Sequence, residues 1–248
     1  MKNRKVILLI LFLVVSITLC SCKNKDSSRT KNNYNKIDKL LEDKVYTIEG
    51  QKYEEEKGIT IIYPKIKYKD EEKSNIINSI IKFGAVSIVN YYKGNGEFNL
   101  YSNYNIARQD DEILSIIFEG YVYSNSGSIP LKSIFYTVNI DLVNNKLLRL
   151  SDFVDINEEF VSKLKNGKVE ENKKSYLDKL SNEEIMQKLQ YCDNTNEFAE
   201  AQSYSYLTKD SLGISLCVDH SLGNHIESEI SLKGWEMIKG DIFDASDK

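Results

Sequence analysis

The sequence predicts an α+β fold: an antiparallel sheet meander with packed helices, followed by a smaller antiparallel β module. Three observations carry this. Apolar residues alternate with period two over several short segments, one long segment has helical spacing instead, and turn-forming residues separate neighbouring strands by only a few positions. With 248 residues, 41% of them hydrophobic and 28% charged, the chain has the apolar content of an ordinary globular protein.

Taken in order, short strands are expected around 44–48 and 59–63, the second stopped by Pro64. From Glu71 to Tyr92 the residues Ile76/Ile77, Ile80/Ile81, Ala85, Ile88/Val89 and Tyr92 recur at three- and four-residue steps, a stripe that should lie on a sheet, with Gly94 and Gly96 ending the helix. Three alternating strands follow: Phe98, Leu100, Tyr104 and Ile106; Leu114, Ile116, Phe118 and Val122; then Ile134, Tyr136, Val138, Ile140 and Leu142. Gln109-Asp110-Asp111 and residues 124–129 read as hairpin connections, and Asn144-Asn145 as a tight turn before a strand at 147–150. Asp155 with Glu158, and Ser181 with Glu184, have capping-box spacing, the first for a helix ending before Gly167. The last module holds strands at 204–208, 212–219 and 226–232 and a turn of helix near Trp235. One face is Leu212, Ile214, Leu216 and Val218 with Ile226, Ser228, Ile230 and Leu232, which leaves Ser215, Cys217, Asp219, Glu227 and Glu229 on the other side.

The N-terminus carries an address. Lys2, Arg4 and Lys5 precede an uncharged run from Val6 to Cys22, the composition of an export signal. It closes on Leu19-Cys20-Ser21-Cys22, the pattern of a bacterial lipobox: a branched apolar residue, a small residue before the cleavage point, then the Cys that takes the lipid. Cleavage at Cys20 would require a bulky Leu at that small position, so residues 1–21 read as signal peptide and Cys22 as the lipidated mature terminus. Residues 22–43, polar and rich in Lys and Asn, read as a flexible tether, with domains at 44–166 and 167–248. Removing 1–21 leaves 30 basic against 37 acidic residues, a net charge of −7, which argues against nucleic acid as partner. The membrane, through the N-terminal lipid on its extracytoplasmic face, is the expected attachment.

Several strings carry a resemblance. Tyr63-Pro64, the helix with Ile77-Asn78 and Ile80, Ile113-Leu114-Ser115-Ile116 to Gly120-Tyr121, and Val138-Asn139-Ile140-Asp141-Leu142 to Leu150-Ser151-Asp152-Phe153 resemble the exported domain of unknown function of the peptidoglycan deacetylase PdaC. Leu212-Gly213-Ile214-Ser215-Leu216, with His220-Ser-Leu-Gly223 and Ile226 to Ile230, is similar to the domain that follows it there and in the lysozyme-sensing anti-sigma factor RsiV. The resemblance implies an extracytoplasmic module that recognises lysozyme or peptidoglycan. Where an anti-sigma factor has a cytoplasmic segment the sequence reads as a cleavable signal, so direct anti-sigma activity is not expected, and no deacetylase domain is expected after residue 240.

Candidate chemistry is sparse, with 2 His and 4 Cys in the whole chain. His220, His225 and Glu227 share one turn with Asp219, a composition that suits a divalent metal; in continued strands, however, His220 is in phase with Val218 and His225 with Glu227, so the rings diverge and no metal is expected. Cys192 and Cys217 read as a disulfide or as two inert thiols in preference to a nucleophile. Asp110/Asp111 and Glu158/Glu159 are explained by a turn and a helix start, so no paired carboxylates for glycoside cleavage stand out. No phosphate-cradling glycine loop occurs and no cofactor is expected. Among 16 tyrosines, Tyr91, Tyr92, Tyr121 and Tyr123 are the candidates for ligand contact at a surface. The expectation is a non-catalytic binding or sensing module, with a cell-wall glycan-acting enzyme or an accessory structural lipoprotein as the alternatives.

Overall fold

The computed structural model describes residues 45–93, 96–124, 126–127, 129–194 and 202–233, apart from the side chain of His220. The signal, the tether and the turn expected near Trp235 lie outside the described residues. Among those described, no helix is long and apolar enough to cross a membrane.

Two sheets share one compact unit that begins at Val45. In the first, β1 (Tyr46–Tyr53), β2 (Ile59–Tyr68), β3 (Asn99–Gln109), β4 (Ile113–Tyr123), β5 (Lys132–Asp141) and β6 (Lys146–Leu148) lie in sequential order. The alternation places the strands, and β3 to β6 form the expected antiparallel meander. The sheet is nevertheless mixed. Helix α1 (Glu71–Tyr92) is a crossover that brings β3 back parallel to β2, pairing Ile59–Ile61 with Leu100–Ser102. Period-two patterning reports buried faces and not strand direction, so the sequence is silent on this.

Pro64 does not end β2, which runs on to Tyr68. β3 pairs with β2 only through Leu100–Ser102, so beyond Ile61 one edge of β2 is unladdered. The N–H groups of Ile66 and Tyr68 on that edge donate to Asn78 Oδ1 (2.8 Å) and Ser74 Oγ (2.8 Å), side chains of α1. Pro64, two residues earlier, sits on this same edge, where a missing donor interrupts no ladder.

Asp70 caps α1, its carboxylate accepting from Lys73 N (3.1 Å), with Glu71 and Glu72 in the positive first turn. Ile77, Ile81, Ala85, Ile88 and Val89 are wholly buried on the sheet, each Ile contributing about 1.5–3 kcal/mol. A Cβ on Gly84 would stand 2.4 Å from Val138 Cγ2, so helix and sheet touch there. Tyr136, stacked on Phe118 at 4.8 Å, donates its hydroxyl to the Ala85 carbonyl (2.8 Å).

The second sheet has the order β7-β10-β9-β8, from β7 (Lys168–Val169), β8 (Tyr204–Leu207), β9 (Ser211–Cys217) and β10 (His225–Ser231). Its apolar face carries Leu212, Ile214, Leu216 and Ile230 onto α3 (Glu158–Asn166), α4 (Glu171–Lys179) and α5 (Asn182–Leu189), after a single turn, α2 (Leu150–Phe153). Ser181 and Glu184 form the expected reciprocal cap of α5, with bonds of 3.1 and 2.7 Å. The cap of α3 is Asn157, accepting from Phe160 N (2.9 Å), two residues beyond the expected Asp155. Helix α4 gives no signal in the sequence because Leu177 is the one fully buried residue in its nine positions.

The side of this sheet opposite its apolar face is partly buried too, because it meets the first sheet. β8 is an edge strand, yet its outward backbone groups are satisfied by side chains of β4, β5 and the turn after α5. Ser115 Oγ accepts from Leu207 N (3.0 Å) and donates to Asn139 Oδ1 (2.7 Å). Thr137 Oγ1 (2.6 Å) and Asn139 Nδ2 (2.9 Å) donate to the Ser205 carbonyl. Asp193, at φ 62°, accepts from Ser205 N (2.7 Å), Leu150 N (2.9 Å) and the Ser205 hydroxyl. Burial pushes its pKa up to about 6, against the hydrogen bonds from Ser205, Leu150 and Thr137 that hold it down.

Mutation and pH both probe this joint. Ser115→Ala strands the Leu207 N–H and the Asn139 side-chain carbonyl oxygen in a buried interface, a loss of about 1–3 kcal/mol that denaturant titration will read. Asp193 titrates near 3.8 when unfolded and near 6 when folded, so between these values the folded chain holds a proton the unfolded chain has released. Its contribution is therefore complete below about pH 4 and lost as pH rises through 6, worth about 3 kcal/mol across the window. Asp193→Asn should remove that descending component from the stability profile.

Candidate functional site

The faces of β4 and β5 that dock β8 extend beyond it, and the register describes the exposed remainder. Across β3, β4 and β5 the outward rows are Tyr101, Tyr121 and Ser133, then Asn103, Glu119 and Phe135. In the next row along, Asn105 and Ile117 lead to Thr137, already inside the joint with β8. One end of this face is thus covered by the second sheet and the other is open.

Tyrosines dominate the open end. The rings of Tyr101 and Tyr121 stack at 5.5 Å with an interplanar angle of 26°, and Tyr121 lies 6.4 Å from Tyr123 along β4. Tyr121 is 45% exposed. The close approach of β3 and β4 here depends on Gly120, where a Cβ would fall 1.9 Å from the Tyr101 carbonyl oxygen. Asn103 and Asn105 are exposed beside the rings, and Asn105 Nδ2 donates to Glu119 Oε2 (3.2 Å). At the far end Asn99, paired with Tyr123, also lines a depression of about 530 Å³ bordered by Lys57, Glu97 and the Lys93–Glu56 ion pair (2.8 Å).

The covered end is a wall of rings. Phe135 lies 6.5 Å from Tyr204, 6.4 Å from Tyr206 and 5.9 Å from His225. Tyr206 lies flat over Gly213, where any side chain would collide with its ring. Burial, reinforced by Lys173 and opposed by a hydrogen bond to the Ser215 backbone, pulls His225 down to about 4, so the imidazole is neutral at neutral pH. Burial, followed by Glu119, raises the Glu227 carboxyl, which accepts a hydrogen bond from the Tyr206 hydroxyl.

Of the residues singled out in the sequence, Tyr121 and Tyr123 are on this face. Tyr92 is not at a surface: it is 4% exposed, in edge contact with Tyr91 at 4.9 Å and against Phe98, because it completes the buried stripe of α1. His225 and Glu227 share one face of β10, as their phase predicts, while the His220 ring is outside the described residues. Among the described residues, no three His, Cys, Asp or Glu side chains are grouped to hold a metal. Cys192 and Cys217 are not joined in a disulfide. Cys192 belongs to the helix-side core with Leu189, Leu216 and Ile230, whereas Cys217 is paired with His225 and points to the opposite face of β9. Burial, then the adjacent Asp193 carboxylate, holds the Cys192 thiol well above its ordinary value. Tyr101, Asn103, Asn105 and Glu119 escape notice in the sequence because only the strand register brings them beside Tyr121.

No family model matches the sequence, and no curated protein matches it. Among solved structures the chain is similar to a DUF3298 family protein from Pseudomonas aeruginosa PAO1, at 14% identity over 80% of this chain and 95% of that one, with a TM-score of 0.48. It is also similar to a DUF3298 member from Bacteroides fragilis NCTC 9343, at 16% identity over 79% and 95%, with a TM-score of 0.47.

Proposed function

We propose that the chain is a lipid-anchored module of the bacterial envelope that binds a component of the wall, or a protein such as lysozyme that attacks it, without transforming it. The observation that carries this is the open face of β3 and β4, where stacked tyrosines stand beside exposed amides. Rings held on paired strands are suited to contact, since their geometry is fixed before any ligand arrives. The resemblance to the exported region of PdaC and to the RsiV sensor domain points the same way, and Leu19-Cys20-Ser21-Cys22 supplies the anchor. The potential nucleophiles give little support to an enzyme: Ser215 is wholly buried, and Cys192 is buried with its thiolate disfavoured.

Calorimetric titration of the purified full chain against lysozyme and, separately, solubilised peptidoglycan fragments at two salt concentrations tests the reading. Saturable binding of either ligand that persists at high salt is expected; heat at low salt only would reduce it to attraction by a net-acidic body, and silence from both would overturn it. For the anchor, cells fed a labelled fatty acid should acylate the natural chain and leave Cys22→Ala unlabelled. Equal labelling of the two would place the lipid elsewhere.

A further inference from the structure

We infer that the strip formed by Tyr101, Tyr121 and Tyr123 with Asn103, Asn105 and Glu119 binds an uncharged chain of N-acetylated sugars. This rests on the reading of the chain as a wall-binding module and selects one ligand class for it. A pyranose ring offers a face of C–H groups and a rim of hydroxyl and acetamido groups. The strip answers both. The Tyr101 and Tyr121 rings, stacked at 5.5 Å, are fixed apolar surface carrying polar tips, and Tyr123 continues them 6.4 Å along the strand. Asn103 Oδ1 already accepts from Tyr104 N (2.8 Å) and Asn105 Nδ2 donates to Glu119, which leaves the Asn103 amide N–H groups and the Asn105 carbonyl, on exposed side chains, as a donor and an acceptor for an acetamido group. Glu119, held by Asn105, adds an acceptor for hydroxyls.

Charge separates this ligand from a cationic protein. In a chain with 28% charged residues, these six positions hold a single charge, that of Glu119. Acidic groups lie elsewhere on and around both sheets, and several are already matched by lysines: Glu49 with Lys67 at 3.0 Å, Glu56 with Lys93 at 2.8 Å, Glu170 with Lys173 at 3.1 Å and Glu229 with Lys168 at 3.6 Å. The strip is also linear, running along β4 toward the depression at Asn99, which suits an oligosaccharide better than a single sugar.

The test titrates the full chain with an uncharged chitooligosaccharide and, in parallel, with lysozyme, at low and high salt. Saturable sugar binding that does not change with salt is expected. Tyr121→Ala and Tyr101→Ala should each weaken it roughly tenfold, and Tyr121→Trp should retain it. Tyr191→Ala removes a tyrosine that is 63% exposed elsewhere and should leave binding unchanged. Asn103→Ala with Asn105→Ala provides a second probe that leaves the rings in place, and thermal melts of every variant verify folding. Sugar binding undiminished in the tyrosine and asparagine variants would overturn the strip while leaving the wall-binding reading intact. Binding of lysozyme alone would overturn the glycan and keep that reading, and no binding of sugar, lysozyme or peptidoglycan fragments would overturn both.

Discussion

The unit depends on how an edge strand is closed. β8 presents backbone donors and acceptors that no further strand pairs, and unpaired groups of this kind, once buried, cost about 1–3 kcal/mol each. Ser115, Thr137 and Asn139 reach from β4 and β5 to meet them, while Asp193 meets Ser205 from the turn after α5. Side chains of one sheet thus do for the other what a neighbouring strand would otherwise do. The same carboxylate accepts from Leu150 N at the start of α2, which ties the end of the meander to the joint.

Closing β8 in this way also decides what remains exposed. The second sheet covers the outer face of β4 and β5 at Ser115, Thr137 and Asn139 and ends against Phe135, so the rows of Glu119 and Tyr121 stay open. On its inner face the first sheet is sealed by α1, where the smallness of Gly84 and the hydroxyl of Tyr136 fix the helix. The proposed ligand would therefore meet a surface that is backed by the helix and walled at one end. Such backing is what keeps exposed aromatic rings in one arrangement without a partner.

Burial faces are legible in the sequence: Glu71 to Tyr92 and the alternating residues of β3, β4 and β5 show the right periods, and Ser181 with Glu184 the right cap. What a one-dimensional pattern cannot carry is pairing. The parallel step from β2 to β3 leaves no trace in period two, and Pro64 reads as a stop because its free edge is created by that step. The polar members of the joint, Ser115, Thr137, Asn139 and Asp193, resemble solvent-facing positions until a second sheet is placed over them. The site is legible only in part for the same reason, since Tyr121 stands out as a residue and Tyr101 becomes its partner through register.

Asp193, buried in the joint between the sheets, and the half-buried His225 beside it oppose one another in their effects on stability. Asp193 titrates higher when folded, so its contribution declines as pH rises from about 4 to 6. His225 is lowered from 6.5 to about 4 by burial and then Lys173, against the Ser215 backbone bond; the unfolded chain holds its proton in that window, and this contribution grows as pH rises. Each shift is worth about 3 kcal/mol, and the windows nearly coincide. A joint built on either group alone would tighten or loosen strongly with mild acid. With both groups present these two slopes offset, while the Glu227 carboxyl, raised by burial and then Glu119, adds a contribution of the same sign as that of Asp193.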